Sequence, residues 1–157
     1  MTTLTVIKTT EVEDYVLQLA DRLEAQYKEY HVKSMQQFSS DYANKQLESV
    51  KNGTANLMRF NVIEGRKYWK IFSYEYDDYK GEYKQGSINC FVDKKTGDVF
   101  KPASYNKPAK HVRYNLLNES SRQSMFEKAH YAGGYLYFSN SDYYYLIQEI
   151  GGRIYHL

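Results

Sequence analysis

Cysteine occurs once, as Cys90, so no intramolecular disulfide framework can brace this chain, and a reducing compartment is the simple expectation. Proline occurs twice, and both copies fall in one short stretch, at Pro102 and Pro108. No apolar run approaches the ~20 residues of a membrane span. The first residues, Met1–Val6, lack the basic-then-apolar pattern of a secretory leader. A non-membrane, cytoplasmic protein is therefore expected. Charge of one sign is also missing: 21 Lys and Arg against 19 Asp and Glu leave +2, too little to name a class of partner. That balance weighs against a mimic of DNA, which would be strongly acidic. No internal repeat and no low-complexity linker divides the 157 residues, so a single domain over 1–157 is expected.

Large aliphatic residues are scarce as well. Leu, Ile, Val and Phe number 34 of 157, and 18 tyrosines make up the difference. Tyrosine buries a large apolar body while its hydroxyl asks for water or a partner. A core built this way is shallow, with ring edges reaching the surface. Tyrosine suits half-buried sheet faces, and it also stacks bases and lines interfaces. Composition alone leaves both uses open.

Thr10 followed by Glu13 is a capping box. Behind it Val12, Val16, Leu19, Leu23, Tyr27 and Tyr30 form one apolar stripe, which predicts an amphipathic helix over 11–31. A second helix is expected over 34–51, with Phe38, Tyr42, Leu47 and Val50 inward and Asn52-Gly53 as its stop. From Ala55 the period changes to two. Residues 55–76 read as a hairpin turning at Glu64-Gly65-Arg66, and Asp77–Gln85 as an exposed loop. Ser87–Val92 is expected as a strand with Ile88, Cys90 and Val92 on one face. It pairs through Asp93–Asp98 with Val99–Lys101, and Gly97 supplies the left-handed residue of the turn. Ser120 with Gln123 predicts a short helix carrying Met125, Phe126 and Ala129 inward. Tyr135–Phe138 reads as a strand, Ser141 to Ile150 as a last helix, and Ile154-Tyr155 as an edge strand. The fold class that follows is α+β: N-terminal helices packed on an antiparallel sheet of four or more strands, with short C-terminal helices. Residues 1–53 form the helical part, 54–101 the β-meander and 102–157 a mixed C-terminal part.

The prolines mark the segment that stands out. Lys101-Pro102-Ala103 recurs as Lys107-Pro108-Ala109, and each proline favours an extended lysine before it. Residues 94–114 hold five Lys, one Arg and one Asp, a local excess of positive charge. Lys101, Lys107, Lys110, His111 and Arg113, with Tyr105 and Tyr114 between them, have the composition of a surface that contacts phosphates and stacks bases. The competing reading is a stiff polar crossover to the next helix. The segment matches no named nucleic-acid module.

Phe91–Ser104, continued by Lys107–Asn115, resembles a motif of small proteins of tailed bacteriophages. There a strand leads into an Asp-x-x-Thr-Gly hairpin, then Tyr-Lys-Pro-Ala, a tryptophan, Pro-Ala-Lys and Arg-Gly-Asn. Here Tyr105 stands where tryptophan is usual, and Tyr114 replaces the small residue after Arg113. Tyrosine does not easily adopt the positive φ open to glycine, so the local turn is expected to differ. The resemblance implies a phage origin and expression inside a bacterial cell. It supplies no activity and no cofactor.

The candidate chemistry is thin. Cys90 falls on an expected strand, where cysteine is usually an inert small hydrophobe, and His111 is near it in sequence only. His31, His111, His130 and His156 show no i, i+4 pair to suggest a helical zinc site. Glu75, Asp77 and Asp78 share their stretch with Lys80 and Lys84 and read as solvated. No catalytic residue, metal ligand or cofactor is expected. The leading expectation is a non-catalytic binding protein acting on a host or phage protein, or on nucleic acid, in the cytoplasm of an infected bacterium. Its contact surface would contain Lys101, Tyr105, Lys107, Lys110, His111, Arg113 and Tyr114. The alternative is a virion accessory or self-assembling structural protein that forms homo-oligomers.

Overall fold

The computed structural model describes residues 10–137. The last expected helix, the edge strand at Ile154-Tyr155, and His156 lie outside the described residues. Helices α1 (Glu11–Gln36), α2 (Asp41–Lys51) and α3 (Glu119–Lys128) accompany five strands: β1 (Arg59–Glu64), β2 (Tyr68–Asp77), β3 (Glu82–Asp93), β4 (Asp98–Pro102) and β5 (Pro108–Asn115). The strands form one antiparallel meander in the order β1-β2-β3-β4-β5. The fold is α+β. No helix among the described residues is long and apolar enough to cross a membrane.

Helix α1 begins as its capping box requires, with Thr10 Oγ1 accepting the Glu13 N–H at 3.1 Å. Val12, Val16, Leu19, Ala20 and Leu23 are its buried stripe. Each buried Leu or Val contributes about 1.5–3 kcal/mol through lost contact with water. The helix runs five residues past the expected end at His31, because Val32–Gln36 contains no breaker. The second helix correspondingly starts late, at the cap where Ser40 Oγ accepts the Ala43 N–H at 3.1 Å. Phe38 therefore sits in the joint, 58% exposed, and Tyr42 is 66% exposed. Both were expected inward.

The β1–β2 pair keeps a regular register from Arg59↔Tyr74 to Glu64↔Trp69. The expected loop at 77–85 is instead the end of a long hairpin: β2 reaches Asp77, β3 starts at Glu82, and Tyr76 pairs with Tyr83. The turn Asp77–Gly81 is closed by the Gly81 N–H on the Asp77 carbonyl at 2.8 Å. Strand β3 carries two irregularities against β2, one between the pairs Ile71↔Cys90 and Phe72↔Ile88, the other between Phe72↔Ile88 and Tyr74↔Gln85. They break the alternation expected for Ile88, Cys90 and Val92. Asn89 and Cys90 are buried side by side, while Ile88 is half-buried. At the second irregularity Ser73 Oγ accepts the Ser87 N–H at 3.0 Å and donates to the Ser87 carbonyl at 3.2 Å. A Cβ on Gly86 would lie 2.6 Å from Ser73 Oγ, so a side chain there would have to displace that hydroxyl from its bonds to Ser87.

The core lies between the sheet and helices α1 and α3. Trp69, Ile71, Cys90, Val92, Val99, Val112 and Tyr114 meet Val16, Leu19, Leu23 and Met125 there. Helix α3 is capped by Asn118, whose side chain accepts the Ser121 N–H at 2.9 Å, rather than by Ser120. Its inward residues are as expected, with Met125 and Ala129 buried and Phe126 packed against them. Tyr135, expected on a strand with Phe138, lies in a 3₁₀ turn over Gly134–Leu136, and Phe138 is outside the described residues.

A buried side chain joins β4, β5 and α3. Asn115 is 5% exposed and uses every hydrogen-bonding position of its amide. Nδ2 donates to the Asp98 carboxylate at 2.7 Å and to the Thr96 carbonyl at 2.9 Å. Oδ1 accepts the N–H groups of Leu117 at 2.8 Å and Asn118 at 3.0 Å. Its own N–H donates to Ser121 Oγ at 2.8 Å. Asn115→Ala leaves two acceptors and two donors without their partner. We expect a loss of about 2–4 kcal/mol of stability, read as a lower urea midpoint at unchanged slope. A cost under about 0.5 kcal/mol would show that water replaces the amide.

Candidate functional site

The turn before the basic segment forms as its residues dictate. Asp93 Oδ1 accepts the N–H groups of Lys95 at 2.8 Å and Thr96 at 3.0 Å, and Gly97 takes φ +74°. A Cβ on Gly97 would also stand 3.0 Å from Leu117 Cγ.

The Lys-Pro-Ala repeat is neither a crossover nor a uniformly extended segment. It is a hairpin that folds back on itself: Pro102 pairs with Pro108, and the Lys107 carbonyl accepts the N–H groups of Ala103 at 2.9 Å and Ser104 at 3.1 Å. Neither proline has an N–H to give, so both suit the open end of the ladder, where none is asked for. Irregularities between Val99↔Tyr114 and Phe100↔Val112, and again before Pro102↔Pro108, twist this edge of the sheet.

The hairpin distributes the expected contact residues over three environments. Lys101 belongs to the helix side of the sheet, where its ammonium sits 4.2 Å from the centre of the Tyr137 ring. It lines a pocket of about 250 Å³ with Phe60, Glu75, Asn89, Tyr131 and Tyr137. Tyr105 goes to the opposite side. Its ring lies 5.6 Å from Phe72 at a tilt of 41°, its hydroxyl donates to the Gly86 carbonyl, and 54% of the residue remains exposed. Lys107 and Lys110 are exposed, and His111 and Arg113 are half-buried. Lys110, His111 and Arg113 form one electrostatic group. Burial first, then the positive Arg113 and Lys110 beside it, hold His111 below the ordinary histidine value.

Tyr114 corrects the expectation most plainly. It is 1% exposed, lies in the core, and donates its hydroxyl to the Tyr135 carbonyl at 3.1 Å. It offers no surface to a partner. No non-glycine residue among those described has a positive φ, so the chain passes Tyr114 as strand rather than as a glycine-like turn.

Sequence reasoning missed Phe72 as the seat of Tyr105, because the fold-back of 103–107 across the sheet leaves no periodic signal. It also missed the clamp at Asn89, whose Oδ1 accepts the Tyr135 hydroxyl at 2.6 Å while Nδ2 donates to the Tyr131 carbonyl at 3.2 Å. Cys90 beside it is fully buried. Burial pushes its thiol up to about 12, against a smaller opposing effect of the Tyr135 hydroxyl. A thiol held protonated inside the core is a packing group.

The chain matches the model of a family of unknown function, DUF7717, over residues 3–138, and it belongs to that family. No curated protein and no solved structure matches it.

The burial of Cys90 has a direct chemical readout. At pH 8 the folded protein should resist a thiol-specific disulfide reagent, and denaturant should release one reactive thiol per chain. Rapid labelling without denaturant would place Cys90 at the surface instead.

Proposed function

We propose that this member of the DUF7717 family is a non-catalytic binding protein that engages a macromolecule with an anionic surface through the β4–β5 hairpin. The resemblance of residues 91–115 to a tailed-phage motif supports a phage origin and action on a host or phage macromolecule inside the infected bacterium. The observation that carries the binding reading is the charge of Lys107 and Lys110 at the hairpin. Ion pairs among the described residues join Arg22 to Glu29, Lys84 to Asp77 and Lys94 to Glu64, and Lys107 and Lys110 enter none of these. Both project from a hairpin whose turn is closed by two hydrogen bonds on the Lys107 carbonyl. A surface rigid before contact loses little entropy on binding.

The same edge is a poor template for self-assembly. Pro108, Lys110 and the irregular register of β5 are devices that block pairing between sheet edges. On the opposite edge the Phe60 N–H is already taken by Glu24 Oε1 of α1 at 2.9 Å.

The test is capture from bacterial lysate by the wild type and by a Lys107→Ala/Lys110→Ala variant across a salt series. Capture that weakens with salt and falls at least tenfold in the variant is expected. Equal capture by both proteins at all salt concentrations would remove the hairpin from the contact surface.

The pH dependence has a defined sign. His111 is held below its ordinary pKa, so it is neutral at pH 7 and gains its proton only as the solution becomes more acidic. Affinity should therefore rise as the pH falls below the ordinary histidine range, and His111→Asn should remove that part of the rise. A rise of the same size in His111→Asn would assign it to another group.

A further inference from the structure

The helices α1 and α3 pack on one face of the sheet, and their buried residues join the cluster around Trp69, Ile71 and Val92. Strand β2 is regular against β1, so its alternate residues Tyr68, Lys70, Phe72 and Tyr74 point the other way. Phe72 and Phe91 are 4% and 0% exposed, yet neither belongs to that cluster. They are covered by groups of their own face. Tyr105 lies on Phe72. Tyr68 meets Phe91 edge-on at 5.7 Å, and the Lys70 ammonium is 5.5 Å from the centre of the Phe91 ring. The Lys67 ammonium is 5.4 Å from the centre of Tyr68. No described helix covers this face.

We infer that this outer sheet face is a platform for single-stranded nucleic acid, on which Tyr68, Tyr105 and Tyr74 stack bases while Lys67, Lys70 and Lys107 meet phosphates. The inference rests on the binding reading above and names its partner class. Two observations carry it. The rings are held before contact: Tyr105 is fixed by Phe72 beneath it and Gly86 beside it, and the Tyr74 hydroxyl reaches Gln85 Oε1 at 3.4 Å. Such a ring can receive a base without losing rotamer freedom. Lys67 and Lys70 stand beside the rings of this face, so charge complementarity points to a polyanion. The acid that the register sets beside Tyr68, Asp93, already has Oδ1 engaged by two backbone N–H groups. A duplex keeps its bases inside and cannot use these rings.

Fluorescence anisotropy with a labelled 20-nucleotide oligo-dT, the matching oligo-U and a duplex of equal length tests the assignment with the full chain. Both single strands should bind at least tenfold tighter than the duplex. Tyr74→Ala and Tyr105→Ala should each weaken binding by roughly five- to tenfold or more, while Tyr105→Phe, which keeps the ring, should stay within twofold. Lys67→Glu changes an exposed charge only and keeps the test valid if a tyrosine variant unfolds; it should weaken binding and flatten the salt dependence. A preference for oligo-U would identify RNA as the source, and equal binding would show that the 2′-hydroxyl is not read. Absence of binding, equal affinity for the duplex, or indifference to all these variants overturns the platform. If the hairpin variant still loses capture of a nuclease-resistant partner, the hairpin reading survives and only the nucleic-acid platform fails.

Discussion

The buried amide of Asn115 is the constraint on which the arrangement of the C-terminal half depends. Through one side chain it ties the Asp98 carboxylate and the Thr96 carbonyl of the β3–β4 turn to the backbone that enters α3. The Leu116 N–H closes the same seam on the Gly97 carbonyl at 2.9 Å, and Arg122 reaches the Leu116 carbonyl at 2.7 Å. A low-dielectric site makes such a network stiff when every member is paired and costly when one is lost. Because the turn, the last strand and the helix start are locked together, the β4–β5 hairpin has a fixed root. The rest of that hairpin can then be irregular, with two prolines and a twisted register, without losing its position.

Tyrosine takes the place of missing aliphatic residues in two distinct ways. On the helix side Tyr114 and Tyr135 are core residues, stacked at 6.2 Å, and each finds a buried acceptor for its hydroxyl. On the outer side Tyr68 and Tyr105 shield Phe91 and Phe72 while keeping part of their rings in water. A five-stranded sheet with helices on one side leaves an apolar face to be covered. Among the described residues it is amphipathic rings and the lysines beside them that cover this face, and no helix does. A third group, Tyr27, Tyr30 and Tyr131 with His31 and His130, packs where α1 meets the segment after α3. Gln26 Oε1 accepts the Tyr131 N–H there at 2.8 Å.

Local chemistry made much of this fold legible. The Thr10 cap, the stripe from Val12 to Leu23, the hairpin around Gly65 and the turn at Gly97 all depend on neighbours within a few residues, and all are where the sequence places them. What was not legible depends on partners far along the chain. The irregularities of β3 exist because Ser73 and Gly86 meet across strands. Tyr105 turns onto the sheet because Phe72 and the Gly86 carbonyl await it. Tyr114 was read as a contact residue because it follows Arg113 in a basic run, yet strand alternation and the register with Val99 carry it into the core. Charge composition describes a segment. It does not say which side of a strand each residue takes.

The same distinction bears on the phage-like motif. Asp93, Gly97 and Asn115 build the turn and anchor it, so their chemistry is consumed inside the fold and would be needed whatever the protein binds. Tyr105 and Tyr114 are the two positions that depart from the motif, and they meet opposite fates. Tyr114 fills the core, where its size and hydroxyl are satisfied by Tyr135. Tyr105 stays more than half exposed on a face that carries cations and other rings. The motif thus supplies a frame, and Tyr105 is held on its outer side by Phe72 and the Gly86 carbonyl. Lys107 and Lys110 can vary with little cost to stability, whereas Tyr105 also covers Phe72 and holds the Gly86 carbonyl.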